Sequence, residues 1–580
     1  MAKKTEQTIS KKIFILAIFL SFVFTSAILF SGNNLGIQDW DYYFSFFEVA
    51  RRSILTYHQF PLWDPYHCGG APLFGNAQTA IISLNFLFVL LFGTVIGLKI
   101  SIFVHFVIGF LGFYLLAKRH YSISSSAAIV GSTIFSFSGV VPSALGVGMI
   151  TFLSFFYIPY VFYFLLNSFD KKHIKNTFLS GLFLAIIFYT GYHIAFWFIP
   201  IFAVYSVVMS IKRRSVFPIL MTLLMLVFFV FISAPKLYGS VEFALDQPRE
   251  INDVSGYKIN QLSHFLFDEK QPYHPKEIVN GSFPITVDEQ SIYIGIIPAV
   301  AFLLGLFYLN GRWEILLMLM LSAWLMLGSN INPSLWEHLK KLSFYDTARV
   351  AERFRYPFIL FVSLISSFGI QGLGGKLKKS LLKNRIIILI FIVIFTDLLL
   401  FNYTNFFSKS FVIKNKDWDL NEREGFFQQQ SNIYPSSNIV YTKNFPKDLR
   451  NISAYVPYSR EFVGIKENIG VISCVEPVYT VLTGFVKGRE DGDYQGESYF
   501  LSGKRKVNYV YWSPNKLVLE VEKGQSDRLI INQNYDDNWL VRINGKVYKA
   551  DSYRRLLSFT IDENLQKVEF IYKYIPLKHD

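Results

Sequence analysis

The sequence predicts a polytopic α-helical membrane protein of about 11 transmembrane helices with a C-terminal extracytoplasmic β-rich domain. Three observations predict it. Of 580 residues, 52% are hydrophobic and only 17% charged, where a soluble domain carries about 25% charged residues. The apolar residues fall in blocks of about 16–22, enough to cross a hydrocarbon core of roughly 30 Å. Beyond residue 404 the blocks give way to short alternating or β-branched runs, the pattern of strands. The expected domains are therefore 1–404, transmembrane, and 405–580, a β-sandwich-like tail.

The polar start MAKKTEQTISKK precedes the first apolar block, Ile13–Phe30. No small-residue cleavage site follows, so this block reads as a retained helix with a cytoplasmic N-terminus. A long polar loop occupies 31–78. Thr79–Gly93 is apolar but short and broken by Asn85, and reads as an interfacial segment. Further spans are Ile96–Ala117, Ser124–Pro142, Ile150–Asn167, Phe178–Tyr189, Ile194–Ile211 and Val216–Ser233. Thr190-Gly191-Tyr192-His193 breaks the run between two of them. After a second loop, 234–290, come Tyr293–Leu309 and Trp313–Leu327. A third loop, 328–353, precedes Phe354–Gly372 and Ile386–Tyr403.

Charge then sets the orientation. Lys118-Arg119, Lys171-Lys172 with Lys175, Lys212-Arg213-Arg214, Arg312 and the cluster from Lys376 to Arg385 all sit in short alternate connections. Short basic connections stay in the cytoplasm. The three long loops and the tail are then extracytoplasmic, and the protein is multi-pass in the plasma membrane. The net charge of +14 is explained by these clusters, which excludes nucleic acid as a partner. Cys68 and Cys474, the two cysteines, can pair only if the first loop and the tail meet outside the membrane. No metal-type Cys/His spacing is present.

In the tail, Lys516–Val521, Arg528–Gln533, Trp539–Ile543, Lys546–Ala550, Leu556–Ile561 and Lys567–Tyr572 read as strands of a small antiparallel sandwich. Asn544-Gly545 between two of them is a hairpin turn. Tyr535, Trp539, Arg554 and Arg555 form either a carbohydrate platform or ordinary β-core with a basic surface.

The first loop carries the chemistry. It reads DWDYYFSFFEVARRSILTYHQFPLWDPYHCGGAPLFGNAQ from Asp39 to Gln78. From Trp40 to about Leu55 the pattern is helical, which places Asp41, Glu48 and Arg52 on one face. Asp39 suits an N-cap, and Glu48–Arg52 suits a helical i,i+4 pair. Pro61 to Gly70 forms a shaped loop on the membrane surface, with Trp63 and Tyr66 as interfacial anchors. Asn76 and Gln78 either contact a ligand or cap the next helix.

The Asp-Trp-Asp start, ARRSIL and FPLWDPYHCGGAPLFGNAQ resemble the first external loop of the bacterial YfhO-like membrane proteins, of the GT-C glycosyltransferase class. LLAKRHYSISSSAAIVGSTIFSFSG (Leu115–Gly139), SAPKLYGSVEFALDQPRE (Ser233–Glu250), YIGIIP (Tyr293–Pro298) and NYDDNWLVRINGKVYKADSYRRLL (Asn534–Leu557) extend the resemblance over nearly the whole chain. The family often has Asn where Asp64 stands and Pro where Ala77 stands.

The resemblance implies a membrane glycosyltransferase. It uses a polyprenyl-phosphate-linked sugar donor and an envelope glycan, polymer or lipid acceptor, within the lipid bilayer and on its outer face. An acid of the first external loop is the base, matching Asp39 or Asp41, between which the sequence does not choose. A carboxylate must take the acceptor hydroxyl's proton, and cations must meet the departing phosphate. Arg51, Arg52, His67, Lys236, Arg249, Arg349, Arg353 and Arg355 are the candidate cations, and Asn76 and Gln78 the candidate polar contacts. His193, at the helix break, either lines the cavity or is simply packed. Two carboxylates do not make a metal site, so no cofactor is assigned and a divalent metal stays open. The competing readings are a flippase or transporter of a lipid-linked glycan, and a non-catalytic envelope scaffold. Asp397 is the main acid within the spans, and a Lys or Arg from the third loop is its expected partner.

Overall fold

The computed structural model describes residues 9–171, 173–246, 256–271, 287–342, 345–346, 348, 350–377, 380–414, 425–430, 461–472 and 485–574. Its chain divides into two compact units, neither continuous in sequence. The first comprises Met1–Gly32, Leu98–Ser233 and Ile251–Phe411. The second comprises Asn33–Gly97, Ala234–Glu250 and Val412–Asp580.

The protein is a polytopic helical membrane protein with a β-rich C-terminal region. Among the described residues, eight helices are long and apolar enough to cross a membrane. Their surroundings differ by sequence. Ser125–Gly146 is almost wholly buried, and its small Ala127, Ala128, Gly131 and Ser132 allow close helix approach. Its hydroxyls fold back on their own backbone, as Ser132 Oγ does to Ala128 O at 2.8 Å. Phe217–Leu245 is mostly exposed. It exposes Leu223, Val227 and Phe231, as suits contact with lipid chains.

Several boundaries differ from the sequence expectation. The run Ile174–Arg213 spans 40 residues and takes in two expected spans, bent at the non-helical Gly191. Tyr293–Leu309 and Trp313–Leu327 correspond to shorter helices, Ile296–Phe307 and Trp313–Met326. The helix Phe217–Asp246 continues past Ser233 into the expected second loop, with Pro235 inside it. Among the described residues, Asp397 meets no Lys or Arg of the third loop. It accepts a hydrogen bond from Tyr293 Oη at 2.9 Å, which neutral hydroxyl chemistry permits at lower desolvation cost.

The second unit is built on the first loop and the tail. The helix Asp39–Leu55 is followed by β1 (Trp63–Asp64), which pairs antiparallel with β2 (Ala71–Pro72). β3 (Phe427–Gln429) pairs parallel with β4 (Ile469–Val471). The remaining strands are β5 (Ser498–Phe500), β6 (Val507–Ser513), β7 (Lys516–Val521), β8 (Asp527–Asn534), β9 (Trp539–Ile543), β10 (Lys546–Lys549), β11 (Asp551–Tyr553), β12 (Leu556–Ile561) and β13 (Lys567–Tyr572). They form a five-stranded sheet, β10-β9-β13-β7-β6, and a four-stranded sheet, β11-β12-β8-β5. The hairpin between β9 and β10 turns on Asn544 (φ 49°) and Gly545 (φ 80°), the two left-handed residues of a type I′ turn.

Both sheets send alternate residues into one core. Leu517, Leu519, Val541 and Phe570 come from one sheet, and Leu529, Ile531 and Leu557 from the other. Trp63 of the first loop completes this core and is 1% exposed. Its ring meets Trp539 edge-on at 5.5 Å, and its Nε1 donates to Gln533 Oε1 at 2.9 Å. Gly70 has φ +105° and lies against the Trp63 ring, where a Cβ would collide. Tyr66 is likewise buried and donates from Oη to Asn468 at 2.8 Å. Trp63 and Tyr66 are thus not membrane-surface anchors. Burying such rings stabilises the fold by about 1.5–3 kcal/mol each.

Candidate active-site loop

The helix Asp39–Leu55 has two functional faces. Gln38 precedes it with φ 52° and makes no side-chain cap. Asp39 is therefore the first helical residue rather than the N-cap the sequence suggested. Residues two apart on a helix do not face each other, so Asp39 and Asp41 look different ways.

Asp41 faces inward with Ser45 and Glu48. It is 5% exposed, and its Oδ2 accepts the Glu461 backbone N–H at 2.9 Å. Ser45 Oγ lies 2.7 Å from His67 Nε2, which also meets Glu461 Oε2 at 2.9 Å. His67 Nδ1 meets Asp64 Oδ2. Every member of this cluster is buried. Burial, then the Glu461 charge, pushes the Asp41 carboxyl up to about 7, against the opposing pull of the Glu461 and Phe462 N–H groups and His67. Burial pulls His67 down, but the Asp64 and Glu461 carboxylates outweigh it and raise His67 to about 10. His67 is thus an imidazolium at neutral pH, held between two acids. Ser45, His67 and Asp64 have the residue types of a nucleophile relay. Glu461 occupies the imidazole nitrogen that would serve as base, and Ser45 is fully buried, so the cluster balances charge instead.

Farther along this face, Glu48 accepts from Thr94 Oγ1 at 2.5 Å. It lies 3.4 Å from Arg51 and 3.5 Å from Arg52. Arg52 also donates to the Ile465 carbonyl at 2.5 Å and the Lys466 carbonyl at 3.3 Å. It thereby satisfies the C-terminal carbonyls of the short helix Glu461–Lys466.

Asp39, half-buried, shares the other face with Tyr43, one turn on. Tyr43 Oη donates to Gln78 Oε1 at 3.2 Å. Asn76 Oδ1 accepts the Gln78 N–H at 2.9 Å, an Asx turn. Lys236, 1% exposed, donates from Nζ to the Thr79 carbonyl of the same turn. Lys236, 157 residues from Thr79, is therefore gathered with Asn76 and Gln78 on one turn.

Arg353 and Arg355 belong to the first unit. Arg353 makes a bidentate pair with Glu289, with Nε 3.2 Å from both carboxylate oxygens. It lies over the Phe152 ring at 5.2 Å and 3.4 Å from His193 Nδ1. His193 also stacks on Phe152 at 5.5 Å. Arg355 is fully buried and donates to the Ser291 carbonyl and to Tyr356 Oη, each at 3.5 Å. Arg249 and Arg349 lie outside the described residues.

The sequence missed Glu461, Ser45 and the role of Asp64. Only Asp64 had a signal, three residues before His67 in a Pro-flanked loop. Cys68 is disulfide-bonded; Cys474, the other cysteine of the sequence, lies outside the described residues. Among the described residues no group of three His, Cys, Asp or Glu side chains is placed to hold a metal ion.

No protein-family model matches this chain, and no curated protein sequence matches it. A solved structure that is similar over part of the chain is ArnT from Cupriavidus metallidurans bound to undecaprenyl phosphate. That likeness covers 67% of this chain and 74% of ArnT, at 11% identity and a TM-score of 0.38.

Proposed function

We propose that this chain is a GT-C-type membrane glycosyltransferase of the YfhO-like kind. It moves a sugar from a polyprenyl-phosphate donor to an envelope glycan, polymer or lipid on the extracytoplasmic face of the plasma membrane. Its N-terminus is cytoplasmic and its β-rich domain extracytoplasmic.

The observation that carries the site assignment is the division of the two loop acids between two helix faces. Asp41 is committed to the Glu461 N–H inside a buried cluster. Asp39 is partly exposed, on the face whose Tyr43 leads to Gln78 and Lys236. Asp39 is the base and Asp41 the positioning residue. Asp39 takes the acceptor hydroxyl's proton as that oxygen attacks the anomeric carbon. The bond from the anomeric carbon to the phosphate oxygen breaks, and the polyprenyl phosphate leaves with the electron pair. One displacement inverts the anomeric centre. Lys236 Nζ, beside the Gln78 turn, donates a hydrogen bond to the leaving phosphate. Arg353 is already neutralised by Glu289, so it stabilises the fold rather than the leaving group.

Mass spectrometry of envelope polymers and lipid-linked sugars tests this in a deletion strain complemented with variants of confirmed expression. Asp39→Asn is expected to cut transfer by about 100- to 10,000-fold and to let the lipid-linked donor accumulate. Full glycan restoration by Asp39→Asn sinks the assignment. A deletion that changes no glycan sinks the glycosyltransferase reading itself.

A further inference from the structure

A second feature of the loop–tail unit has no part in the transfer chemistry. A cavity of about 310 Å3 is lined by the first loop, the end of the helix Phe217–Asp246 and the β8–β9 connection. This is at the small end of ligand cavities, which run from about 300 to 1,000 Å3.

Its walls combine two kinds of surface. One is aromatic, from Trp63, Tyr535 and Tyr574. The other is rich in hydrogen-bond acceptors. Asn534 and Asn538 line the cavity and are 1% and 4% exposed. The Oδ1 of each is buried without a hydrogen-bond partner. Their other atoms are fixed. Asn534 Nδ2 donates to the Cys68 and Gly70 carbonyls at 2.6 and 2.9 Å, and the Asn538 side-chain amide donates to the Asp536 carboxylate. The orphan oxygens therefore cannot be satisfied by turning the amides over, since the Asn534 amide would then confront two carbonyls. Glu242, Asp536 and Asp537 add carboxylates, against Arg555 as the lining cation. Asp537 is engaged by Tyr535 Oη at 2.7 Å and Lys549 at 3.1 Å.

The chemistry selects the occupant. Buried acceptors without donors call for a ligand rich in O–H or N–H groups. The carboxylate excess disfavours a phosphate or another anion. A metal ion is disfavoured because no three ligating side chains converge among the described residues. Aromatic faces beside acceptors suit a pyranose, which has an apolar C–H face and a hydroxylated rim.

We propose that this cavity is a saccharide subsite that holds one neutral sugar unit, with Tyr535 against the ring and the Asn534 and Asn538 carbonyls receiving its hydroxyls. The subsite stands apart from Asp39, so it holds whether or not the transfer reading does.

Saturation-transfer NMR tests it with the full-length protein in lipid nanodiscs, which avoids sugar-headed detergents. The probes are glucose, galactose, N-acetylglucosamine and methylammonium. At least one of the sugars is expected to give a saturable signal that persists in Asp39→Asn. Tyr535→Ala and Asn538→Leu are expected to weaken it at least tenfold, while Tyr535→Phe retains it. Each variant is checked for an unchanged melting temperature; if Asn538→Leu melts early, Tyr535→Ala and Tyr535→Phe decide. Absence of any sugar signal from folded wild-type protein overturns the proposal. So does binding undiminished in Tyr535→Ala, or displacement of the sugar by methylammonium, which would mark a cation pocket. Loss of transfer in Asp39→Asn with sugar binding intact separates this site from the catalytic one.

Discussion

The two units each bury a cluster of ionisable groups, and they balance charge differently. In the first unit, Arg353 and Glu289 meet one to one, with both Nε and Nη2 donating to the carboxylate. In the second, a single imidazole faces Asp64 and Glu461, with Asp41 close behind. A matched pair needs nothing further. An over-supplied cluster relieves itself by raising one acid so that it holds a proton more readily, and Asp41, pushed up to about 7, is that acid. The difference makes the Arg353–Glu289 contact itself a fixture of the fold, while the His67 cluster changes charge with pH.

The comparison is broken most sharply at the matched pair. Glu289→Gln leaves Arg353 buried with half its partnership gone. Removing one partner of a buried pair costs about 3–5 kcal/mol, and a large fall in melting temperature by intrinsic fluorescence is expected. An unchanged melting point would mean that the pair is not buried in the working protein. Glu461→Gln should cost less, about 1–3 kcal/mol, because His67 keeps Asp64 and the Glu461 backbone N–H still reaches Asp41. If Glu461→Gln proves the more damaging of the two, the ranking of the clusters is reversed.

Alkaline pH sharpens the contrast further. His67 is raised to about 10 from 6.5. Its stabilisation is therefore complete below about pH 6.5 and lost as pH rises through about 10. Melting followed from pH 6 to 10 should fall in the wild type and fall less in His67→Gln. Parallel curves would remove His67 from the account. Asp41 gives the smallest effect. Its carboxyl is raised to about 7 from 3.8, so its contribution is present in acid and lost as pH rises through about 7. Asp41→Asn cannot ionise. It should melt at or above the wild type at pH 8 and at or below it at pH 5, and the opposite order would contradict a protonated Asp41.

Much of this architecture was legible from periodicity. The helix Asp39–Leu55 and the strands Lys516–Val521, Trp539–Ile543, Leu556–Ile561 and Lys567–Tyr572 follow patterns visible in a few residues. Asn544-Gly545 announced its turn through the need for two left-handed residues. What stayed hidden depends on distant parts of the chain. Trp63 and Tyr66 read as membrane-surface aromatics because their partners lie some 400 residues or more away. Glu461 carries no local sign that it closes the His67 cluster. The span expected to stop at Ser233 runs on to Asp246 with Pro235 inside it, although proline disfavours helix in the residue before it. Asp39 and Asp41 stood out in the sequence, but only the helix phase separates their roles.

The docking of the first loop also imposes a schedule on biosynthesis. Trp63 is sealed by strands that the ribosome makes last, and its partner Gln533 lies 470 residues downstream. At about 5–20 residues per second this interval is roughly 25–95 s. Through that time the nascent loop presents its tryptophan to its surroundings. The C-terminal third is thus the first loop's own late-arriving chaperone, and truncating it would strand the candidate active-site segment half-made.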